Sequence, residues 1–527
     1  MSCTQSVVRR AIVASAAALG MSGLLACGDL TFVRVDEGRV QGVVADGVVA
    51  FKGIPYAAPP VGALRWRPPQ SPIWKGVLTA AEFGADCWQL PSDDAVRGPS
   101  EDCLFANVWR PAIHTEKPLP VMVWLHGGEL VRGSASRYSG QFLAEREIVV
   151  VTFNYRLGRL GFFAHPTLAS EVPEEPHVNF GYLDQLALLQ WVQRNIGAFG
   201  GDPSNVTIAG ESAGGGAVLV HLTSPLSRGL FHRAIAESPV LPSARAGAMP
   251  LSDIAAAEAS AVDYAEGLGI GTSEGAGSDD RAIAAELRAL SAEKLTEGTN
   301  VGAVLDWAFG GRAIPGFVGA VIDGNLIVDT PEAALRSGNS SVPVLTGAND
   351  ADLAASPAVT KEELFASFRK LSPRALTLYD PDGSASLADL RPSVMADWGV
   401  VEPSRHLAEL VTEWGFPAYF YRFSYVPEFE RQEVRGALQG AEVPYVFDAV
   451  APTMRGKETP ADVAMGKTMS SCWAAFVESG NPNGGGCPEW LPYDTKSRTV
   501  MRFANKEASY GPDPLKERLD LWRFYWR

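Results

Sequence analysis

The chain contains few histidines and cysteines, and fewer basic than acidic residues. Among 527 residues there are 7 His and 6 Cys, and 45 Lys and Arg stand against 60 Asp and Glu, for a formal net charge of −15. Binding to nucleic acid depends on clustered cationic side chains that displace counterions from phosphates. The charge therefore excludes a general phosphate-binding surface, and we expect no nucleic-acid partner.

The amino terminus lacks an apolar run strong enough for a membrane-spanning helix, which needs about 20 strongly apolar residues. Arg9 and Arg10 precede the stretch AIVASAAALGMSGLLA, and Asp29 is the first acidic residue. This pattern is typical of an export signal over residues 1–27. The signal ends in LLAC, similar to a bacterial lipoprotein cleavage box that would leave Cys27 as a lipidated N-terminus. Cleavage nearby by a general signal peptidase is the alternative.

These features predict an exported protein. It would be lipid-anchored in the bacterial cell envelope, or periplasmic or secreted, and would touch a membrane only through the N-terminal anchor. Apart from Cys3 and Cys27, the cysteines are Cys87, Cys103, Cys472 and Cys487. An even number in an exported chain predicts two disulfides, most simply Cys87–Cys103 and Cys472–Cys487, with other pairings or four free thiols as alternatives. No CxxC spacing suggests a metal site.

The order of apolar runs predicts an α/β fold. VMVWL at 121–125 and EIVVVTFNY at 147–155 are nearly continuous, as in strands covered on both faces of a parallel sheet. Helical spacing follows over 182–196, then a short strand at 206–210 and a second helix from 212 to about 222. This alternation predicts one domain, 28–527, with a mostly parallel sheet covered by helices on both faces.

Two further segments have distinctive compositions. The region around 243–310 is rich in Ala, Gly, Glu and Ser, which we interpret as a helical insertion or lid over the active site. The proline-rich stretch FKGIPYAAPPVGALRWRPP at 51–69 is predicted to lie at the surface.

The sharpest motif is Gly210-Glu211-Ser212-Ala213-Gly214, between the strand VTIAG and a helix. G-x-S-x-G in this context makes a strained turn that presents a serine hydroxyl at the carboxyl edge of a sheet, so Ser212 is a candidate nucleophile. Gly127 and Gly128 follow another strand and offer unhindered backbone N–H groups. We predict the amides of Gly128, Glu129 and Ala213 as oxyanion donors, with an ordinary glycine turn as the alternative.

Eight segments in order resemble the type-B carboxylesterase/lipase family, which includes cholinesterase-like and para-nitrobenzyl esterase-like enzymes. They are FKGIPYAAPPVG (51–62), EDCLFANVWRP (101–111), HGG (126–128), NYRLGRLGFF (154–163), NFGYLDQLALLQWVQRNIGAFGGDP (179–203), GESAGG (210–215), GAEVPYVF (440–447) and ESGNPN (478–483). The resemblance implies an α/β-hydrolase fold, hydrolysis of small-molecule esters through an acyl-serine, and no cofactor. It also implies a Cys87–Cys103 bridge, a buried Glu211 and a Glu442 near the site.

The resemblance also implies a triad of serine, acid and histidine. The acid position falls on Asp352, with Asp350 as runner-up and a solvated loop carboxylate as the alternative. The histidine position is occupied by Gln439, and none of the seven histidines lies near it. A glutamine amide is far too weak a base to take the serine proton at neutral pH, so ordinary triad catalysis should be crippled.

Glu129 is a second departure, because the family usually has Gly or Ala there. Its carboxylate would oppose the developing negative charge unless protonated or turned away. The sharper hypothesis is that Glu129, Glu211 or Glu442, with a raised pKa, replaces the missing base. The sequence thus predicts an exported carboxylic ester hydrolase with impaired or altered activity. A catalytically inactive cholinesterase-like binding or adhesion protein is the alternative.

Overall fold

A large mixed sheet forms the centre of the structure, a computed structural model that describes residues 30–91, 96–240, 251–271, 279–308, 310–338, 342–352 and 358–526. The strands in chain order are β1 (Phe32–Val35), β2 (Gly38–Gln41), β3 (Val43–Ala45), β4 (Val48–Pro55), β5 (Val77–Thr79), β6 (Asp86–Cys87), β7 (Pro99–Ser100), β8 (Phe105–Pro111), β9 (Leu119–Leu125), β10 (Val149–Phe153), β11 (Gly201–Glu211), β12 (Arg233–Glu237), β13 (Leu251–Asp253), β14 (Ala320–Ile322), β15 (Val344–Asn349), β16 (Ala418–Ser424), β17 (Thr499–Ala504) and β18 (Ala508–Pro512).

Helices alternate with these strands from β9 onward. They are α1 (Gln141–Ala144), α2 (Gly158–Gly161), α3 (Pro166–Glu171), α4 (Phe180–Asn195), α5 (Ala213–Thr223), α6 (Ile254–Gly267), α7 (Asp280–Ala289), α8 (Ala292–Thr296), α9 (Val301–Ala308), α10 (Pro331–Arg336), α11 (Lys361–Ala366), α12 (Ser372–Tyr379), α13 (Leu387–Ala396), α14 (Glu402–Glu413), α15 (Val443–Val446), α16 (Val450–Met454), α17 (Pro460–Ser479) and α18 (Lys516–Trp526). Helices α6 to α9 occupy the region predicted as an insertion.

The central sheet has the order β18-β17-β16-β15-β12-β11-β9-β10-β8-β4-β3. The strands from β17 to β10 pair in parallel, and the two edges are antiparallel. Side chains of β9 alternate between two cores: Val121 and Val123 pack with residues of α4 and α5, and Met122 and Trp124 with residues of α15 and α17. Both faces of the sheet are therefore covered, which is why its apolar runs are nearly continuous. The predicted α/β architecture is confirmed.

Strand register brings the carboxyl ends of several strands to one edge. Leu125 of β9 lies beside Gly210 of β11, and Glu211 lies beside Glu237 of β12. Glu237 in turn lies beside Gly347 of β15. Ligands of open α/β sheets bind at such carboxyl ends. The residues that follow β9, β11 and β15 are therefore placed to form one site.

The proline-rich stretch does not lie mainly at the surface, so that prediction is wrong. Its first residues belong to β4, and Tyr56 and Trp66 are buried. The Trp66 ring packs 4.8 Å from that of Phe163, and its indole N–H donates to the Arg159 carbonyl at 2.8 Å. The prolines bend the chain, while the aromatic residues between them enter the core.

Two disulfides have the simplest predicted pairing, which confirms Cys87–Cys103 and Cys472–Cys487. The lipidation candidate Cys27 and the rest of residues 1–27 lie outside the described residues. Within the ranges described above, no helix has the length and apolar character needed to span a membrane.

Candidate active site

Ser212 occupies a strained turn between β11 and α5. Its backbone angles are φ 57° and ψ −124°, a conformation that is unfavourable for a residue with a side chain. A Cβ atom added at Gly214 would lie 2.1 Å from the Leu125 carbonyl oxygen, and one at Gly210 would lie 2.6 Å from the Gly214 carbonyl carbon. The glycines of the motif therefore allow the backbone to cross β9 closely, as the sequence predicts.

The loop after β9 packs against this turn. A Cβ atom at Gly127 would lie 3.1 Å from the Ser212 Cβ. Gly128 and Glu129 both have positive φ, at 109° and 57°. Ala213 is the first residue of α5, where backbone N–H groups have no acceptor within the helix. Gly128 and Glu129 line the cleft that contains Ser212, and Ala213 directly follows Ser212 in the chain.

The side chain of Gln439 contacts the Ser212 hydroxyl. Its Nε2 donates a hydrogen bond to the Ser212 Oγ at 2.5 Å. The glutamine side chain is exposed, whereas Ser212 is buried. Because an amide N–H is a donor, this contact orients the hydroxyl but cannot remove its proton.

No histidine among the described residues replaces the missing base by a hydrogen bond to Ser212. His126 Nδ1 lies 2.9 Å from the Gly127 carbonyl and its ring stacks on Tyr155, and burial lowers its pKa to about 4. His221 contacts Ser227 and Gln185, and burial lowers its pKa to about 3. The others have contacts elsewhere or are exposed: His114, His165, His177, His232 and His406.

Glu129 is the carboxyl group that shares the cleft wall with Ser212 and interacts electrostatically with its hydroxyl. Glu129 is only 5% exposed. Burial raises the pKa of Glu129 to about 7, against the opposing effects of nearby Arg132 and Ser212. At neutral pH this carboxyl is therefore divided between its charged and neutral forms.

Further carboxyls lie buried behind the serine. Burial raises the pKa of Glu211 well above its usual value, and the neighbouring charges of Glu442, Asp352 and Glu237 raise it further. Burial likewise raises the pKa values of Glu237 and Glu442. Glu442 accepts from the Asn349 amide at 2.5 Å, and Glu237 accepts from the Trp473 indole at 2.7 Å. Like charges this close oppose one another's ionisation, so these carboxyls keep their protons to a higher pH than isolated carboxyls do.

The two candidate acids have different surroundings. Asp350 Oδ1 accepts from the Ala437 amide at 2.8 Å, and the Ala351 amide donates to the Ala437 carbonyl at 3.1 Å. These bonds fasten the loop after β15 to the segment that carries Gln439. Asp352 is fully buried, and its charge acts on Glu211.

A cleft of about 410 Å³ opens over Ser212. Its lining includes most predicted site residues: Gly127, Gly128, Glu129, Glu211, Ser212 and Gln439. Asp352, Glu442 and Ala213 are buried beneath it rather than in its wall.

Three groups near the site were missed by the sequence reasoning. Arg132 and Arg137 line the cleft, and Glu237 belongs to the carboxyl cluster. Glu237 ends β12, the strand beside β11, so strand order could have placed it near Ser212. The two arginines lie in a loop with no motif of its own, so no local pattern predicted their position at the site.

The comparisons with known proteins agree with this geometry. Residues 29–374 and 362–522 match the model of the carboxylesterase family. Fumonisin B1 esterase of Sphingopyxis macrogoltabida is 34% identical over 90% of this chain and 87% of its own length. Liver carboxylesterase of Sus scrofa is 35% identical over 90% of each chain.

Solved structures give the same result. A PNB esterase structure superposes with a TM-score of 0.76 and 30% sequence identity, covering 94% of this chain and all of the esterase. A structure of a thermophilic PNB esterase gives a TM-score of 0.77 at the same identity. These likenesses confirm the α/β-hydrolase fold predicted from the sequence. The chain belongs to the carboxylesterase family and is a carboxylic ester hydrolase.

Proposed function

We propose that this chain is exported and hydrolyses small-molecule carboxylic esters through an acyl-enzyme on Ser212, without a histidine base. The strained turn that holds Ser212 in the wall of a cleft is the observation that carries this proposal. The esterase relatives support an ester substrate, and two disulfides support an oxidising compartment.

The remaining site roles follow from the chemistry of acyl transfer. The amides of Gly128, Glu129 and Ala213 would stabilise the oxyanion, and removal of one such donor from another serine hydrolase costs about 10²–10³ in turnover. Asp352 takes the position of the acid, although Gln439 gives it no imidazole to orient. Cys27 would carry the lipid anchor, and helix α9 would contribute to the lid, since Val301 lines the cleft.

One experiment tests the nucleophile. The purified mature protein is assayed with a short-chain nitrophenyl ester and a fluorophosphonate probe, beside Ser212→Ala and Gln439→His. We expect Ser212-dependent hydrolysis and labelling in the wild type, and faster hydrolysis in Gln439→His because an imidazole regains the position beside the hydroxyl.

Two other outcomes would overturn the proposal. Activity only in Gln439→His would mean that the natural chain is catalytically inactive, although the rest of its active site is intact. If wild type and Gln439→His are both folded and neither hydrolyses the ester nor reacts with the probe, the result would favour a binding or adhesion protein, which the missing histidine also suggests.

A further inference from the structure

The missing histidine leaves the Ser212 proton without its usual acceptor. A serine hydroxyl attacks an ester only if a positioned group removes its proton as the new bond forms. Gln439 occupies one side of the Ser212 oxygen as a donor, so the hydroxyl hydrogen must point elsewhere. The group that receives it has to lie within hydrogen-bond reach on another side.

Resting on the function proposed above, we propose that Glu129 is the general base of this hydrolase, with a carboxylate that accepts the Ser212 proton. Glu129 lines the same cleft as Ser212, and its carboxyl group interacts electrostatically with the Ser212 hydroxyl. Gln439 and Glu129 thus divide the two tasks of a histidine: the amide orients the oxygen and the carboxylate takes the proton.

The other carboxyls of the cluster are less suited to this step. Glu442 is bonded to Asn349 and lies beneath the cleft wall. Glu211 lines the cleft, but burial and four neighbouring carboxylates raise its pKa well above the usual value and so disfavour the charged form that a base needs. The pKa of Glu129 near 7 is matched to proton transfer at neutral pH.

The charged and titratable groups around Glu129 come from several elements. Arg132, in its own loop, lowers its pKa. The charge of Glu129 raises the pKa values of three neighbours, which are Glu211 of β11, Tyr155 after β10 and Tyr182 of α4. Burial raises the pKa of both tyrosines above the usual phenol value, so they are neutral while Glu129 titrates. Arg132 is the one cation among these neighbours and favours the charged base.

Proton transfer also removes the conflict between Glu129 and the oxyanion. The Ser212 proton moves to the carboxylate while Oγ bonds to the acyl carbon and the carbonyl electron pair moves to oxygen. Glu129 is then neutral as the oxyanion forms, so no like charge opposes it. The Glu129 backbone N–H remains available as a donor on the same residue.

The remaining steps balance. The intermediate collapses, the bond to the alcohol oxygen breaks, and that oxygen takes the proton from Glu129. Water then gives a proton to Glu129 as its oxygen adds to the acyl carbon. The bond to Oγ breaks, Oγ recovers the proton, and one acid and one alcohol have formed from one ester and one water.

The test is the pH dependence of kcat/KM for a nitrophenyl ester in wild type, Glu129→Gln and the double variant Glu129→Gln/Gln439→His. The surface variant Glu286→Gln, on exposed α7, is the matched control. We expect wild-type activity to rise through a pKa near 7, since the charged form is the base. Glu129→Gln should lose about 10²–10⁴ of the rate and this inflection. The double variant should regain activity through the imidazole, and Glu286→Gln should behave as wild type.

Each failure has a distinct meaning. Full activity and an unchanged inflection in Glu129→Gln overturn the role of Glu129 while leaving the Ser212 nucleophile in place. Loss in Glu129→Gln that the double variant does not repair, although Gln439→His alone is active, shows a structural role and also overturns it. No Ser212-dependent turnover in the wild type overturns both this inference and the proposed function.

Discussion

At the scale of single residues, the unusual feature is a glutamate with left-handed backbone angles beside the serine. Glu129 has φ 57°, where a side chain costs about 1–2 kcal/mol and glycine costs nothing. The family resemblance predicts Gly or Ala at this position. A strained and buried acid that persists there is consistent with a function gained at the expense of stability.

This strain gives a stability prediction. Glu129→Gly should be about 1 kcal/mol more stable than Glu129→Gln, because glycine adopts the positive φ without strain. The glutamine variant keeps the side chain and the strain, so it is the matched control. Thermal unfolding measures the difference. An equal or lower midpoint for the glycine variant would show that the loop holds Glu129 without strain.

At the scale of elements, the crossing of the Ser212 turn over β9 depends on glycine. Gly214→Ala would place a Cβ atom 2.1 Å from the Leu125 carbonyl, so we expect a loss of about 3 kcal/mol or more and little probe labelling. Gly197→Ala is the control, because Gly197 is exposed and its Cβ would meet nothing within 4 Å. Urea unfolding of both variants tests this. Similar stabilities for the two would contradict the tight crossing.

The second disulfide ties helix α17 to the segment after it. Cys472 and Cys487 are 15 residues apart, and a loop of that length accounts for about 3 kcal/mol of stability when it is closed. The Cys472→Ala/Cys487→Ala variant should lose roughly this amount in urea unfolding. Reducing agent should lower the free energy of unfolding of the wild type by more than that of the double variant, because the double variant has only the Cys87–Cys103 bridge left to lose. A loss below about 1 kcal/mol would argue against a closed bridge in solution.

The elements themselves were largely predictable from the sequence. The run at 121–125 lies within β9, and the helical spacing over 182–196 corresponds to α4 at Phe180–Asn195. The first is a nearly continuous apolar run and the second repeats apolar residues at helical spacing, and both patterns are visible in the local sequence. The buried Trp66 was not predicted, because prolines around it suggested the surface while its burial depends on a distant Phe163.

The site was predictable only in part, for a similar reason. The serine motif and the Gln439 substitution are local patterns. The contact between Glu129 and Ser212, and the approach of Glu237, depend on strand order and loop packing. The family resemblance identified the candidate site residues, and the structure shows how their side chains interact.

At the scale of the whole molecule, the buried carboxyls should make stability depend on pH. Their folded pKa values are raised above the usual value near 4.5, so their contribution is fully present below that pH. For Glu129 and Glu442, whose folded pKa values are about 7, this contribution is lost as pH rises from about 4.5 through about 7, by about 1.4 kcal/mol for each unit of pKa shift. The Glu442→Gln side chain keeps an oxygen that can accept the hydrogen bond from the Asn349 amide, but the side chain cannot ionise. This variant should therefore lose less stability than wild type between pH 5 and pH 8.

Chemical unfolding at several pH values measures that difference. Glu286→Gln, with its exposed carboxyl, should follow the wild type. An equal decline in Glu442→Gln and wild type would show that the cluster does not take up protons in the folded state.

The most direct test of the central claim is the mass of the protein during turnover. Wild type is quenched in acid while it hydrolyses a nitrophenyl ester, and the intact protein and its peptides are weighed. We expect one added acyl group per chain, on the peptide that contains Ser212, and none in Ser212→Ala. Turnover with no adduct, or with an adduct on another residue, would contradict it.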